Sequence, residues 1–427
     1  MSDCARLRTR IATASFATLG ALVLAGPTSG AVVVTDAPAF VIAISAAEAV
    51  AVDCPATQVR VTVDGGAPTS YVTACAAVTS LTVTASGGFA NAVDLTGVGA
   101  QFGSLGTITI SAGPGNDFLL GGPRGETFVW NPGDGSDAIV GGAGVDLLLF
   151  NGSVASEVFT LTAAGTGFDL LRNVGAITMD VEAVESLTLS ALDGSNTITI
   201  GNLTGVADLT LVSCAGGILA DLFNGSAQAN PAIALVLAGG GDADTLSGGA
   251  GADTLVGGPG NDSLTGGGGT GTFVWNPGDG SDTIDGGGGT DTLEFNCSVG
   301  SETIGVVAEG SGFDLSRNVG AILLDTDSIE NLDLIALGGD DHVSTVLLVP
   351  TAQHYDGGTQ VVADQLDVAA LGACVTFGNG SLSAPGFAPI DYVAFEELLV
   401  TITCHGDLIF ADGCESGTTA AWSSVVP

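Results

Sequence analysis

The sequence predicts an all-β protein: a parallel β-roll or β-helix solenoid with glycine-rich turns, flanked by additional β regions. Three observations carry this expectation. A nine-residue pattern of glycines, one acidic residue and one apolar residue recurs along the chain. A much longer unit, residues 113–192, recurs without a gap as residues 258–337, at an offset of 145. The remaining stretches alternate apolar and polar residues over short runs, as in VRVTVDGG from Val59 and SLTVTASGG from Ser80. Fixed-period self-similarity is the signature of a solenoid, in which each repeat buries its apolar side only by stacking on a neighbour.

Composition sets the first bounds. The chain has 427 residues, 67 of them glycine, and a formal net charge of −39. It has no lysine. Arg6, Arg8 and Arg10 lie at the start, so only Arg60, Arg124, Arg172 and Arg317 face the many carboxylates of the remainder. High net charge alone would suggest disorder, but nearly half the residues are hydrophobic, so the chain has a core to bury. Such an acidic surface excludes nucleic acid as a partner and attracts divalent cations or basic molecules.

Taken in order, residues 1–31 read as a signal peptide. Arg6, Arg8 and Arg10 form its positive start, and Ile11 to Ala25 its uncharged apolar core. Ser29 and Ala31 are the small residues before the cleavage point. A membrane anchor is the rival reading; the short core and Pro27 argue against it, and no later run is long and apolar enough to span a bilayer. The expected location is therefore extracellular or at the surface of a bacterial cell. Export permits disulfides, and Cys54–Cys75 and Cys404–Cys414 are candidate local pairs, although the sequence alone fixes no pairing. No CxxC or Cys/His cluster has zinc spacing.

Residues 32–111 form an N-terminal β region, read as regular solenoid rungs with a β-sandwich as the alternative. Residues 112–238 are a first block of turns with a solenoid spacer, and 239–345 a second block with its spacer. Residues 346–403 are a capping β region, since an open solenoid end exposes strand edges. Residues 404–427 are a tail resembling C-terminal segments of secreted bacterial proteins.

The blocks carry the chemistry. The first reads AGPGNDFLL and GGPRGETFV, then Trp130 and Asn131, then PGDGSDAIV and GGAGVDLLL. The second reads GGGDADTLS, GGAGADTLV, GGPGNDSLT and GGGGTGTFV, then Trp275 and Asn276, then PGDGSDTID and GGGGTDTLE. Glycine gives the turns positive φ at no steric cost. The sixth position supplies a carboxylate, and the eighth an apolar side chain for the core. Two nonapeptides make one coil, so turns two nonapeptides apart stack on one edge. Asp244, Asp262 and Asp282 then share one edge of the second block, with Asp253 and Asp291 on the other. In the first block Asp117 pairs with Asp137, and Glu126 with Asp146. For this register the Trp-Asn pairs are expected to bulge out.

Carboxylates stacked about 5 Å apart repel by roughly 1 kcal/mol per pair in water, and more when buried. A divalent ion reverses that sign. Calcium takes six to eight oxygen ligands, carboxylate and backbone carbonyl alike, and suits such turns. The expected ligands are Asp117, Glu126, Asp137, Asp146, Asp244, Asp253, Asp262, Asp282 and Asp291, with Ca2+ the one cofactor. Three positions depart from the pattern. Gly271 lacks the carboxylate, Glu126 has a longer arm, and Asp242 replaces the fourth-position glycine.

This nonapeptide resembles the haemolysin-type (RTX) calcium-binding repeat of bacterial proteins, at about 112–149 and 239–294, roughly a fifth of the chain. The flanking FVWNPGDGSD and RNVGAI segments are similar to bacterial proteins carrying such repeats. The resemblance implies calcium binding and no catalytic activity.

A search for catalysis gives little. HExxH and GxSxG are absent, and His342, His354 and His405 form no triad in sequence. Arg172 and Arg317 occupy equivalent positions in the duplication, which favours a structural role such as pairing Arg172 with Asp169 or Asp180. The sequence thus reads as a non-enzymatic, exported calcium-binding protein with a structural, surface or adhesive role. Its partners would be calcium ions and cell-surface or extracellular polysaccharide. The alternative is a calcium-dependent polysaccharide-active enzyme of lyase or epimerase type.

Overall fold

The computed structural model describes residues 32–346 without interruption and shorter stretches between 348 and 425. The signal-peptide reading, and the Cys404–Cys414 pair, lie outside the described residues. Among those described, regular structure is almost entirely β-strand, many of the strands only three to five residues long. The chain forms two compact units. The first ends at Leu192 and takes in Leu203–Ser213; the second comprises Asp193–Asn202 and the chain from Cys214 onward.

In the first unit, each coil gives one strand to each of two parallel sheets. One sheet stacks Ala39–Ile44, Ser80–Ala85, Thr107–Ser111, Thr127–Trp130, Leu147–Asn151 and Ser186–Ser190. The other stacks Ala49–Asp53, Ala92–Gly97, Phe118–Leu120, Ala138–Val140 and Ile177–Glu182. The same parallel stacking begins at Ala39, so the N-terminal region pairs as solenoid rungs and not as an antiparallel sandwich. Antiparallel strands lie only at its margin: Val32–Thr35 on Ala39–Ile44, and Gln58–Val63 with Thr69–Ala74 beside Ala49–Asp53. A Cys54–Cys75 disulfide closes that margin.

The second unit repeats the plan. One sheet runs from Ala234–Ala238 through Asp253–Val256, Gly271–Trp275, Thr292–Asn296, Asn331–Ile335 and Ala352–Asp356 to Ile390–Val393. The facing sheet holds Thr197–Ile200, Leu222–Asn224, Thr245–Ser247, Ser263–Thr265, Thr283–Asp285 and Ile322–Asp327. Parallel pairing of Thr303–Glu309, His342–Val346, Gln365–Leu371 and Glu397–Thr403 continues beyond it.

Alternation explains why so short a strand suffices. In Phe118–Leu120 only the central Leu119 is buried, and it sits in register with Ile139 and then Val181. Leu246, Leu264 and Ile284 form the matching column of the second unit. Each such side chain contributes roughly 1.5–3 kcal/mol by leaving water. One inward residue per strand, stacked coil on coil, builds a continuous core that no single nonapeptide could supply.

The Trp-Asn pairs do not bulge out. Trp130 ends the strand Thr127–Trp130 and is fully buried, as is Trp275 in Gly271–Trp275. The two extra residues lengthen the coil, and strict alternation after Phe128 and Phe273 turns each indole inward. Trp130 stacks on Phe150 with ring centres 4.1 Å apart, and Trp275 on Phe295 at 4.3 Å. Each indole N–H donates to a turn carbonyl, Gly135 O at 2.8 Å or Gly280 O at 2.9 Å.

Each unit also carries a three-stranded antiparallel excursion, Val158–Ala164, Gly167–Arg172 and Ile177–Glu182 in the first. Thr303–Glu309, Gly312–Arg317 and Ile322–Asp327 are its copy. Arg172 pairs with neither Asp169 nor Asp180. It forms a buried ion pair with Glu157, donates to Val174 O at 2.9 Å, and lies 5.2 Å from the Trp130 ring centre. Arg317 repeats this with Glu302, Val319 and Trp275. Asp169 fails as the partner because neighbours on a strand point to opposite faces at odd spacing. The antiparallel turn instead brings Glu157, fifteen residues upstream, onto the arginine.

Candidate metal centre

The turns are built around glycine. Gly142 and Gly144 have φ of +105° and +140°, values that side chains rarely adopt. Space excludes a side chain as firmly as torsion does. A Cβ on Gly135 would fall 1.4 Å from Gly115 O, and one on Gly280 would fall 1.2 Å from Gly260 O. Carbonyl oxygens of one coil are thus packed directly against the glycines of the next.

The sixth-position acids form ladders along both edges. On one edge the Asp117 N–H donates to Asp137 Oδ1 at 2.9 Å. In the second unit Asp244 donates to Asp262 Oδ1 at 2.8 Å, and Asp262 to Asp282 Oδ1 at 2.9 Å. On the opposite edge Glu126 donates to Asp146 Oδ1 at 2.7 Å. Asp253 Oδ1 accepts from Leu235 N at 2.8 Å, and Asp291 Oδ1 from Gly271 N at 2.5 Å. Every acid except Glu126 thus uses one oxygen to fix the preceding coil's backbone. All nine are at least 95 % buried.

The other oxygen matters for metal. Asp117 Oδ2, Glu126 Oε1, Asp146 Oδ2, Asp244 Oδ2, Asp262 Oδ2 and Asp291 Oδ2 are buried without a hydrogen-bond partner. A buried carboxylate oxygen left so costs on the order of 1–3 kcal/mol or more. In most turns it lies over the first glycine of its own nonapeptide: a Cβ on Gly257 would be 2.2 Å from Asp262 Oδ2, and one on Gly239 2.2 Å from Asp244 Oδ2. A carbonyl of the adjacent coil joins it there. At Gly248 these are Asp253 Oδ2 at 2.7 Å and Gly266 O at 2.3 Å; at Gly141, Asp146 Oδ2 at 2.7 Å and Ala183 O at 2.0 Å. Each missing Cβ leaves a cradle walled by hard oxygen donors, which fits Ca2+. Asp253 differs, since its Oδ2 accepts from Gly249 N at 2.6 Å; Asp137 and Asp282 also lie outside the unpartnered set.

Burial shapes the electrostatics. It pushes the carboxyls of Asp117, Asp244 and Asp282 up to about 7 and that of Asp137 up to about 8. Asp291 rises to about 6 for the same reason. Glu126, Asp146, Asp253 and Asp262 are raised too, burial again leading. Among the described residues, no three acidic, histidine or cysteine side chains converge on one point. The turns therefore offer pairs of carboxylates supplemented by backbone carbonyls, not an all-side-chain cage.

The departures have visible consequences. At Gly271 the rung is incomplete: the Asp253 N–H donates to Thr270 O at 3.0 Å, where a carboxylate would otherwise stand. Glu126 bends back, so that Oε2 accepts from Gly122 N at 3.1 Å. Asp242 adopts φ of +72°, and its carbonyl lies 1.9 Å from where a Gly260 Cβ would fall, so it keeps the glycine-like turn.

Sequence reasoning missed the outer rungs. Glu185 Oε2 accepts from Asp146 N at 2.7 Å, and its duplicate Glu330 from Asp291 N at 2.9 Å. Asp221 Oδ1 accepts from Asn196 N at 2.6 Å, while the Asp221 N–H donates to Asp244 Oδ1 at 2.7 Å. The signal for Asp221 was the Gly216-Gly217 pair five residues before it. His342 Nε2 lies 2.9 Å from Asp367 Oδ2; His405 lies outside the described residues.

The RTX calcium-binding nonapeptide repeat matches the chain in four copies, at residues 109–123, 133–149, 238–273 and 278–295. No curated protein matches the chain. The matched segments coincide with the ladders of glycine cradles and buried acids, so the chain carries RTX calcium-binding nonapeptide repeats set in an all-β parallel roll.

Proposed function

We propose that this is an exported protein whose turns order on calcium outside the cell, with a structural, surface or adhesive role and no catalytic one. The observation that carries this is the row of buried carboxylate oxygens without partners, in a chain of net charge −39. Asp117 with Asp137, Glu126 with Asp146, and Asp244 with Asp262 and Asp282 would hold the ions, while Asp253 and Asp291 line the other edge of the second block on either side of Gly271. When bound, calcium supplies the positive charge that the chain itself lacks. The carboxylates hold adjacent coils in register through their backbone bonds, and the glycines admit the carbonyls.

Extracellular calcium modules work at about 10⁻⁴–10⁻³ M. Sites of that affinity stay largely empty in a cytosol and fill after export, which agrees with the Arg6-Arg8-Arg10 leader reading. Each filled site stabilises the fold by about 2.7 kcal/mol when calcium is at a hundred times its dissociation constant. The test is circular dichroism and thermal melting of the purified protein, first with calcium and then with excess chelator. We expect a large loss of β signal or of melting temperature on chelation. Identical spectra and melts would sink the proposal.

A further inference from the structure

The carboxylate ladder does not stop where the matched repeats stop. Past residue 295, the Glu302 N–H donates to Asp341 Oδ1 at 2.8 Å, and the Asp341 N–H donates to Asp364 Oδ1 at 2.7 Å. Asp341 and Asp364 are 1 % and 0 % exposed. Asp341 Oδ2 is buried with no hydrogen-bond partner. The Arg317 guanidinium is committed elsewhere, its Nε donating to Glu302 Oε2 at 2.8 Å, and the His342 ring lies 2.9 Å from Asp367 Oδ2. Among the described residues no ion pair reaches Asp341.

The duplication supplies an internal contrast. The residue 145 positions before Asp341 is Asn196, which is equally buried and occupies the same kind of rung, donating from its backbone to Asp221. Its side chain is neutral, and Nδ2 donates to Gly194 O at 3.1 Å, closing its own turn. A carboxylate at this position cannot make that bond. The second copy therefore places two acids where the first places an amide and an acid. It also retains the cradle: a Cβ on Gly357 would be 2.3 Å from Ala394 O and 2.9 Å from Asp364 Oδ2.

We propose that Asp341 and Asp364 hold a further divalent cation outside the nonapeptide blocks. Carboxylate and carbonyl oxygens are hard donors, so calcium is the ion this site takes. The inference rests on reading the repeat turns as calcium sites. The alternative for two buried acids is a shared proton, which binds no metal.

The experiment is a calcium count per chain by equilibrium dialysis on the full-length protein, with folding monitored by circular dichroism. D341N, which copies Asn196, should carry about one ion fewer than the wild type, and N196D about one more, since it recreates the acid pair with Asp221. D282N reports the repeat block separately. A wild-type chain that binds no calcium removes both readings. A wild-type count kept by folded D341N, while D282N loses ions, overturns this site alone. If D341N does not fold, N196D decides: no added ion overturns the proposal.

Discussion

The molecule buries acids in two places and neutralises them differently. In the antiparallel excursions, Glu302 meets Arg317 through Nε at 2.8 Å and also accepts from Ser298 N at 3.0 Å. In the turns, Asp262 accepts the Asp244 N–H through Oδ1 and has nothing on Oδ2. Both side chains are at least 97 % buried. The difference follows from composition. After residue 10 the chain has four arginines, and two of them serve the duplicated excursions. A solenoid with dozens of acids and no lysine cannot supply a cation to each turn. The excursions are self-contained, whereas the turns require a cation from solvent or a proton.

The largest way to break this contrast is to remove calcium and vary pH. The folded-state carboxyls of Asp117, Asp244 and Asp282 sit at about 7 and that of Asp137 at about 8, all above the 3.8 of a free aspartate. Without metal the folded form therefore binds more protons than the unfolded chain. That contribution to stability is fully present below about pH 4 and is lost as pH rises through 7 to 8. With saturating calcium the trend should reverse, because only the deprotonated acids bind metal. Melting temperatures from pH 4.5 to about 8.5, with chelator and with calcium, should give lines of opposite slope. Parallel lines would mean that the turn acids are not the metal ligands.

The next effect lies on the other side of the comparison. E302Q leaves Arg317 buried beside Trp275 without its counter-charge, and breaking such a pair costs about 3–5 kcal/mol. Burial works against the charged glutamate, but the Arg317 and Ser298 hydrogen bonds prevail and hold Glu302 below the usual carboxyl range. The wild-type contribution is thus present above about pH 4.5 and lost in acid, opposite to the turns without calcium. Denaturant melts of E302Q at pH 7 should show a loss of this size, with and without calcium. A loss that appears only with calcium would tie the excursion to the metal sites.

The two regions were not equally legible. The nine turn acids stand out because glycine, acid and apolar residue recur at fixed offsets, and the coil of two nonapeptides follows from that spacing. The excursion partners do not: Glu157 reaches Arg172 only through an antiparallel turn, and Asp169 and Asp180 are nearer in sequence. Trp130 reads as an interruption because it breaks the nine-residue count, yet alternation with Phe128 sends it to the core. Asp341 falls near a turn that reads in the sequence as a decayed repeat, whereas Asp364 was hidden. The Asp341 turn kept the acid but has Ala336 and Leu337 where the leading glycine pair would stand, and Asp364 follows its glycines at a longer spacing than the nonapeptide allows.

The smallest effect tests whether the turn ladder can be extended by one residue. Gly271 occupies a sixth position and still donates its N–H to Asp291 Oδ1, so the backbone of a complete rung is already in place. Its φ lies outside the left-handed range, but a Cβ would sit 2.8 Å from Asp291 Oδ1 and 3.3 Å from the Phe273 ring, so Asp291 must give slightly. G271D also removes a strand glycine, worth about 0.5–1 kcal/mol by itself. With calcium, the new carboxylate beside Asp253 and Asp291 should raise the calcium count by about one and the melting temperature by a few degrees. With chelator it adds another buried acid to an uncompensated edge, and the same variant should melt lower than the wild type. Equal stabilisation in both conditions would leave only the loss of glycine's backbone freedom, and the acids of this edge would not be what calcium reads.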